Sequence, residues 1–138
     1  MDAPEIIKSG KKILAMVFPA KIRVSSGVSF FTAPDNPFQI GMHNREKGTH
    51  LAAHIHRLDH PLTINAIQEL LVVVSGTIRV TIYTRGGKRK KSVTLTSGDS
   101  ILLMDGGHSV EFLEDSNVFE LKQGPYRGPI NAKIFLKP

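Results

Sequence analysis

Two histidines separated by one residue are the first feature of this sequence that could do chemistry. His54 and His56 lie in the stretch HLAAHIHRLDH, residues 50–60, which holds four of the six histidines of the chain. Successive side chains of a β-strand alternate between its faces, so residues i and i+2 project together. If residues 51–56 form a strand, the two imidazoles share a face. Such a pair is half of a metal site, a pair of acid–base groups, or two surface residues without a function.

A carboxylate that could join them is Glu69, which begins the apolar run ELLVVVS at residues 69–75. In a strand Glu69 shares a face with Leu71 and Val73, whereas Gln68 takes the opposite face. Both faces of this run are apolar, so the strand is predicted to be buried on both sides. One side would face the interior of a barrel, and the other would lie under a second sheet or a partner subunit.

A third imidazole, His108, follows two glycines at positions 106 and 107. In a strand His108 would share the inward face with Val110 and Phe112, while Glu111 points outward. The two glycines can take backbone angles that other residues avoid, so they allow a tight turn before this strand.

The elements that must position these residues are strands, because a hydrophobic period of two dominates and helical periodicity is nearly absent. Turn sequences rich in Gly, Asp, Asn and Pro separate the apolar runs, as in an antiparallel sandwich or barrel. The segment 59–67 is the exception and is predicted to be a long connection or a short helical turn. The candidate strands are Lys12–Phe18, Val28–Thr32, Phe38–His43, Thr49–His56, Glu69–Ser75, Thr77–Thr84, Ser92–Thr96, Ser100–Met104, His108–Leu113, Val118–Gln123 and Ala132–Leu136.

Length and composition indicate a single domain over residues 1–138, with 41% hydrophobic residues. There is no cysteine, so any metal must be held by imidazole and carboxylate groups. The N-terminal stretch MDAPEIIKSGKK lacks the apolar core of a signal peptide, and no apolar run approaches the roughly 18 residues that cross a bilayer. The expectation is a cytoplasmic protein without a membrane partner.

The net charge of +6 lies largely in the tract RGGKRKK, residues 85–91. Two alternating strands flank a Gly-Gly turn there, so the tract is predicted to be the solvated tip of a hairpin. It contains no aromatic residues that could stack on bases, which argues against a nucleic-acid partner.

The order of these features resembles the cupin superfamily. Its first motif is roughly G-x5-H-x-H-x3,4-E-x6-G, and the chain has Gly48-x5-His54-x-His56 and then Glu69-x6-Gly76. Its second motif is roughly G-x5-P-x-G-x2-H-x3-N, which SGDSILLMDGGH, residues 97–108, follows in outline. The stretch GGHSVEFLED with FELKQGPY is similar to a group of small, uncharacterised single-domain cupins. The resemblance covers about residues 48–123.

The chain departs from the family pattern at several positions. Twelve residues separate His56 from Glu69, where the family has three or four. The second motif is one residue short, with Met104 in place of the proline and Phe112 in place of the asparagine.

The resemblance implies an all-β, single-domain fold, the double-stranded β-helix or jelly-roll barrel. It also implies that His54, His56, Glu69 and His108 bind one divalent ion, either Fe, Zn, Ni or Mn. Imidazoles and one carboxylate on rigid strands supply about four ligands, so one or two positions stay open for water or substrate.

Three functions are compatible with this pattern. The first is a metal-dependent enzyme, for instance a dioxygenase, acting on an unknown small molecule in the barrel. The second is a metal-free isomerase or epimerase of sugars or sugar nucleotides that uses histidine acid–base chemistry. The third is a cupin that binds a small ligand without turnover. A carboxylate that converges on the histidines favours the metal.

Several residues have no decided role. His50 and His60 lie outside the motif and are interpreted as supporting or surface residues. Tyr126 either caps the mouth of the barrel or packs on the Gly-Pro turn before it. Glu120 and Lys122 share a face, either inside the cavity or on an exposed ladder.

The assembly expected is a homodimer, because the doubly apolar strand and the segment KILAMVF, residues 12–18, favour pairing of sheets across a two-fold axis.

Overall fold

The computed structural model describes residues 3–138. The first two residues, which begin the stretch interpreted above as lacking a signal peptide, lie outside the described residues. The chain divides into two compact units. The sheet unit consists of Pro4–Ala20 and Ala66–Pro138, and the loop unit consists of Lys21–Asn65 together with Ala3. A single cupin domain over residues 1–138 stays a prediction.

Nearly all regular structure in the described residues is β-strand, as the alternating pattern predicts. The elements are β1 (Glu5–Ser9), β2 (Lys12–Phe18), β3 (Gly27–Phe30), β4 (Gly41–Asn44), β5 (Glu69–Ser75), β6 (Thr77–Tyr83), β7 (Arg89–Thr96), β8 (Ser100–Leu103), β9 (Gly107–Phe112), β10 (Asn117–Lys122) and a short helix α1 (Pro129–Ala132).

The sheet unit contains two antiparallel sheets. The first has five strands in the order β1-β2-β8-β5-β10, and the second has three in the order β7-β6-β9. The chain alternates between them: β5 belongs to the first sheet, β6 and β7 to the second, β8 to the first, β9 to the second and β10 to the first. β10 and β9 each end their sheet, so each has one edge without a neighbouring strand.

The inward faces of the two sheets form one hydrophobic core. Ile78, Val80 and Ile82 of β6 are fully buried, and they pack in the same cluster as Leu71 and Val73 of β5. These positions follow the strand period of two, which places every second residue of each strand in the space between the sheets. The sheets therefore form a two-layer sandwich.

The predicted burial of both faces of β5 is met on one side only. Leu71 and Val73 are buried, whereas Leu70 and Val72 on the opposite face are partly exposed and Val74 is 59% exposed. KILAMVF forms β2, which lies between β1 and β8 and is buried along residues 14–18.

Two predicted strands are wrong and one strand was missed. Thr49–His56 has no regular secondary structure and is exposed throughout, because no neighbouring strand pairs with its backbone. Ala132–Leu136 is replaced by the end of α1 and an irregular segment, since Pro129 fits the first turn of a helix. Strand β1 was missed because its only apolar residues, Ile6 and Ile7, are adjacent and show no alternation. It is held in place by pairing with β2 across a turn in which Gly10 has φ of 60°.

The loop unit has β3 and β4 as its strands within the described residues. They pair antiparallel, and Asn44 closes the pair by donating hydrogen bonds to the carbonyl oxygens of Val24 and Ser25. Residues 49–64 carry no helix or strand.

The basic tract forms the hairpin tip that was predicted, and part of its charge is paired. Arg85 donates to the carboxylate of Asp105 at 2.7 Å, and Lys12 lies 3.2 Å from the same carboxylate. Lys91 forms an ion pair with Glu5 on β1.

No helix among residues 3–138 is long and apolar enough to cross a membrane.

Replacement of Asp105 by Asn should destabilise the sheet unit. Burial opposes ionisation of Asp105, but hydrogen bonds from Arg85, the Gly106 amide and Lys12 outweigh it, so the pKa of this carboxyl is lowered. Because both cations are more than half exposed, solvent screening limits the expected loss to about 1 kcal/mol in urea unfolding. The stabilisation is present above the ordinary pKa of 3.8 and disappears as the pH falls below it. Asp115→Asn, at an exposed turn, is the control, and equal losses in both variants would contradict the expectation.

Candidate functional site

The centre of the candidate site is a contact between Glu69 and His108, which joins the two sheets at one end of their strands. Glu69 is the first residue of β5 in one sheet, and His108 is the second residue of β9 in the other. The Oε2 atom of Glu69 lies 3.2 Å from Nε2 of His108, and the two side chains are 14% and 34% exposed. The structure thus brings together two of the four predicted ligands, within the sheet unit.

Glu69 points toward the core because side chains along β5 alternate between its two faces. It stands on the same face as Leu71 and Val73, which are 6% and 0% exposed. Its register partners are Leu103 on β8 and Lys122 on β10, so strands flank it on both sides. Glu69 thus shares the buried face of β5 with Leu71 and Val73, as its alternation predicts, and Gln68 just before the strand is itself buried, at 6% exposure.

The turn before β9 positions His108. Gly106 has φ of 72°, a conformation that favours glycine, and a Cβ atom there would lie 2.2 Å from the carbonyl oxygen of Tyr83. The turn therefore packs directly on the end of β6, and two residues later His108 pairs with the fully buried Ile82. Glu111 points to the other face, where it pairs with Arg79 at 3.1 Å.

Two charged residues of β10, Glu120 and Lys122, extend the site. Glu120 pairs in register with Leu71, and Lys122 pairs with Glu69, so both lie on the inward face of the first sheet. The apolar residues Phe119 and Leu121 point outward and are 65% and 51% exposed. Sequence reasoning left the role of Glu120 and Lys122 open because the apolar side of β10 would ordinarily face the core. The register of β10 with β5, which shifts at residues 117–118, instead places Glu120 and Lys122 on the inward face.

The carboxyl group of Glu69 is held ionised. Burial opposes its charge, but hydrogen bonds with His108 and Glu120 and the charges of His108 and Lys122 outweigh burial and lower the pKa of Glu69 from 4.5 to about 2. An anionic Glu69 accepts a hydrogen bond from the Nε2–H of His108.

The neighbouring Glu120 is shifted in the opposite direction. Its hydrogen bond to Glu69, its burial and the charge of Glu69 raise the pKa of Glu120, while the charges of Lys122 and Lys133 oppose the rise. Two carboxyl groups at short range repel each other when both are charged, so the pKa values of Glu69 and Glu120 are driven in opposite directions.

The other two predicted ligands, His54 and His56, lie in the loop unit. Their ring centroids are 5.0 Å apart and the rings are inclined by 74°, and both residues are exposed. Nδ1 of His54 lies 2.7 Å from the carbonyl oxygen of Ala52. Their predicted part in a metal site with Glu69 and His108 stays a prediction.

The remaining residues singled out in the sequence are exposed. His60 contacts the neighbouring Asp59, with Nδ1 2.6 Å from the carboxylate, and His50 is a surface residue of the loop unit. Tyr126 is 68% exposed, and its ring centroid lies 5.9 Å from Nζ of Lys122. This contact places the Tyr126 ring beside the charged end of the site rather than packed in the core.

Within the sheet unit, the described residues do not join Glu69 and His108 to a third His, Asp or Glu in an arrangement able to hold a metal ion. The pair nevertheless supplies the two donor types, imidazole and carboxylate, that a cysteine-free metal site requires. Their 3.2 Å separation is close to the roughly 3.3 Å expected between two donors on one tetrahedral ion with bonds of about 2.05 Å. The pair thus offers the donor types of a metal site, while its spacing is equally that of a direct hydrogen bond.

A concavity of about 460 Å³ lies in the loop unit and is lined by Arg23, Val24, Ser25, Ser29 and Phe31. Its lining contains no carboxylate or imidazole, so it offers neither metal ligands nor an acid–base pair.

Comparison of the chain with protein-family models, with curated proteins and with solved structures finds no match. The function is therefore argued from the geometry of the site.

Replacement of Glu69 by Gln should remove stability in a pH-dependent way. A carboxyl with a lowered pKa stabilises the fold above its ordinary value of 4.5 and loses that contribution as the pH falls to about 2. Urea unfolding at pH 7 should show a loss of about 2 kcal/mol for the variant, and the loss should shrink between pH 4.5 and pH 2. Glu111→Gln, on the outer face, is the control. A deficit of Glu69→Gln that stays constant from pH 7 to pH 2 would rule out the charged pair.

Proposed function

We propose that the chain is a small metal-binding protein of the cupin type, and an enzyme acting on a small molecule held at the open end of the sandwich. The observation that supports it most is the contact of Glu69 with His108 at 3.2 Å across the two sheets. These are the residues that the cupin resemblance names as ligands, and they were chosen from motif spacing alone. When bound, the ion would supply Lewis-acid or redox chemistry.

The order of the strands also supports a jelly roll. In that fold two antiparallel sheets are built from strands that pass repeatedly from one sheet to the other. β5 to β10 follow such an alternation, and β9 and β10 end their sheets at free edges. A jelly roll would add one more strand at each free edge.

The roles of the residues in the sheet unit follow from their contacts. Glu69 and His108 would hold the ion. Glu120 lies beside the carboxylate of Glu69, whose proximity raises the pKa of Glu120. Lys122, next along the same face, presents a fixed positive charge to the open end.

A second candidate is a metal-free acid–base enzyme. The specific observation in its favour is the pair of carboxyl groups of Glu69 and Glu120, whose pKa values are shifted in opposite directions beside the imidazole of His108. Such a set can remove a proton at one point of a substrate and deliver one at another.

Thermal melts with and without a chelator distinguish the two candidates. An ion bound only by the native state adds its binding free energy to stability, so the chelator should lower the melting temperature at pH 7.5. At pH 5.5 the effect should be much smaller, because protons compete with the ion for imidazoles whose ordinary pKa is about 6.5. His108→Ala should lose most of the chelator effect and still fold, whereas His50→Ala should behave like the parent. If the chelator leaves the parent unchanged at pH 7.5, the acid–base enzyme takes the place of the metal protein.

The homodimer is proposed on the outer face of the five-stranded sheet. Phe119 and Leu121 of β10 lie beside Val72 and Leu70 of β5 in register, and Val74 continues the same face, so a run of apolar side chains is at least partly exposed. A two-fold axis through this face would let each copy cover the other, which is the commonest arrangement of soluble oligomers.

Replacement of Phe119 by Lys should convert the dimer to a monomer near 15 kDa in light scattering at micromolar concentration, because a charge cannot be buried in an apolar interface without a partner. Phe30→Lys, at an exposed phenylalanine of the loop unit, should leave the dimer intact. A parent protein that is monomeric at this concentration would contradict the proposal.

A further inference from the structure

The concavity of the loop unit has the size of a ligand site. Its volume of about 460 Å³ falls within the roughly 300–1,000 Å³ of sites that hold small organic molecules. Because side chains alternate along a strand, Ser29 of β3 and Phe31 just after it project to one side, and Phe30 projects to the other. Ser29 and Phe31 line the concavity, whereas the Phe30 ring lies over Gly41, where a Cβ atom would be 2.8 Å from the ring. The small side chain of Ser29 leaves room on the side of the concavity.

Hydrogen bonds fix the backbone around the concavity. Nδ2 of Asn44 donates to the carbonyl oxygens of Val24 and Ser25 at 2.9 and 2.8 Å. The amide of Phe31 donates to the carbonyl oxygen of Ile40 at 2.8 Å, which continues the pairing of β3 with β4. Walls that are already held in place lose little conformational freedom when a ligand binds. The walls of the concavity are therefore preformed.

The lining combines one cation with hydroxyl groups and an aromatic ring. Arg23 supplies the guanidinium, and Ser25 and Ser29 supply the hydroxyls. Phe31 supplies the ring and is itself half-buried. Nη1 of Arg23 donates to the carbonyl oxygen of the buried Ile22 at 2.7 Å, which ties the guanidinium to a fixed point of the backbone. The planar fork of a guanidinium matches the two oxygens of a carboxylate, and Arg23 is exposed, so a ligand can replace water around it.

We propose that this concavity binds a small aromatic carboxylate. Arg23 and the hydroxyls of Ser25 and Ser29 bind the carboxylate group, and the ring of the ligand packs on Phe31. Two aromatic rings attract each other in offset or edge-to-face arrangements, so a planar ring is favoured over an aliphatic chain. The inference goes beyond the proposed function and uses no group of the sheet unit, so it does not depend on a metal ion.

The charge of the lining favours a ligand with one negative charge. Arg23 is the one charged residue among the described residues that line the concavity, and none of them is acidic. A phosphate monoester carries about −1.5 to −2 charges near neutral pH, so one guanidinium leaves part of that charge unbalanced. A neutral amide of the same shape makes no charge-assisted hydrogen bond, which is roughly twice as strong as a neutral one. The ligand class is therefore a monocarboxylate rather than a phosphate ester or an amide.

The test is titration of the full chain with benzoate, followed through the backbone amide signals in NMR spectra. Benzamide and phenyl phosphate are the comparison ligands that change the charge, and acetate is the one that removes the ring. Benzoate should shift the amide signals of residues 23–31 more than those of the sheet unit. It should bind at least about tenfold more tightly than benzamide or acetate, and more tightly than phenyl phosphate.

Three variants identify the groups responsible. Arg23→Gln should weaken benzoate binding about tenfold and leave benzamide binding unchanged, because it removes the charge and keeps a donor. Arg23→Lys keeps the charge without the planar fork, so its affinity should lie between those of the parent and Arg23→Gln. Arg57→Gln is the matched control, since Arg57 is an exposed cation of the loop unit that does not line the concavity, and it should bind as the parent does. The amide spectrum of each variant shows whether the loop unit is folded.

Several results would overturn the inference. One is that benzoate shifts no signals, or shifts mainly signals outside residues 23–31. Another is equal affinity of the parent and Arg23→Gln for benzoate, and a third is tighter binding of phenyl phosphate or benzamide than of benzoate. The titration is repeated with a chelator, which should leave the benzoate affinity unchanged. Benzoate that binds only when a metal ion is present would be bound by the ion, and the inference would fail.

Discussion

The packing of two antiparallel sheets on one hydrophobic core is the constraint on which the rest of the sheet unit depends. Ile78, Val80 and Ile82 are fully buried along one face of β6, and the alternation of a strand then fixes the direction of every other side chain on it and on its neighbours. The register with β6 fixes which side chains of β9 point inward, and the register with β5 does the same for β10. Glu69 and His108 meet because each is the first inward-facing residue of its strand.

Two partly buried carboxylates of the sheet unit show how the same electrostatics can serve different purposes. Asp105 and Glu69 are both held ionised by cationic or hydrogen-bonding neighbours that outweigh the cost of burial, so the pKa of each is lowered. Asp105 accepts from Arg85, Lys12 and a backbone amide, and the contacts tie two turns together. Glu69 instead contacts an imidazole and a second carboxyl group, with a loosely paired ammonium nearby. The contacts of Asp105 stabilise the fold, whereas Glu69 and its neighbours present charged and titratable groups at the candidate site.

The direction of β10 is the feature that most distinguishes the site from an ordinary strand end. Its apolar side chains Phe119 and Leu121 point out, and its charged side chains Glu120 and Lys122 point in. This inversion costs hydration of the charges and leaves apolar surface uncovered. A ligand bound to the charged side chains would compensate for their lost hydration, and a second copy of the chain would cover the exposed apolar side chains. The ligand and the dimer are therefore proposed on opposite faces of β10.

The alternating pattern predicted the all-β class and the positions of most strands, because a period of two in apolar residues is a local property of the chain. It also placed Glu69 with Leu71 and Val73, since parity along a single strand needs no knowledge of the partner. The segment 49–56 has a similar pattern but is not a strand, because a strand exists only where another offers hydrogen bonds, and a pattern does not say where that neighbour is.

What the tertiary structure alone decided is which side of β10 became the inside and which distant residues meet. Either face of β10 could have pointed inward: the face with Phe119 and Leu121, or the face with Glu120 and Lys122. The register with β5 turns the charged face inward, irrespective of the polarity of its side chains. The same holds for the contact of Glu69 with His108, which are 39 residues apart in the chain and meet through the packing of two sheets. Sequence determined the chemistry of the candidate groups, and packing determined which of them meet, since a contact between distant residues depends on the pairing of strands that neither residue specifies.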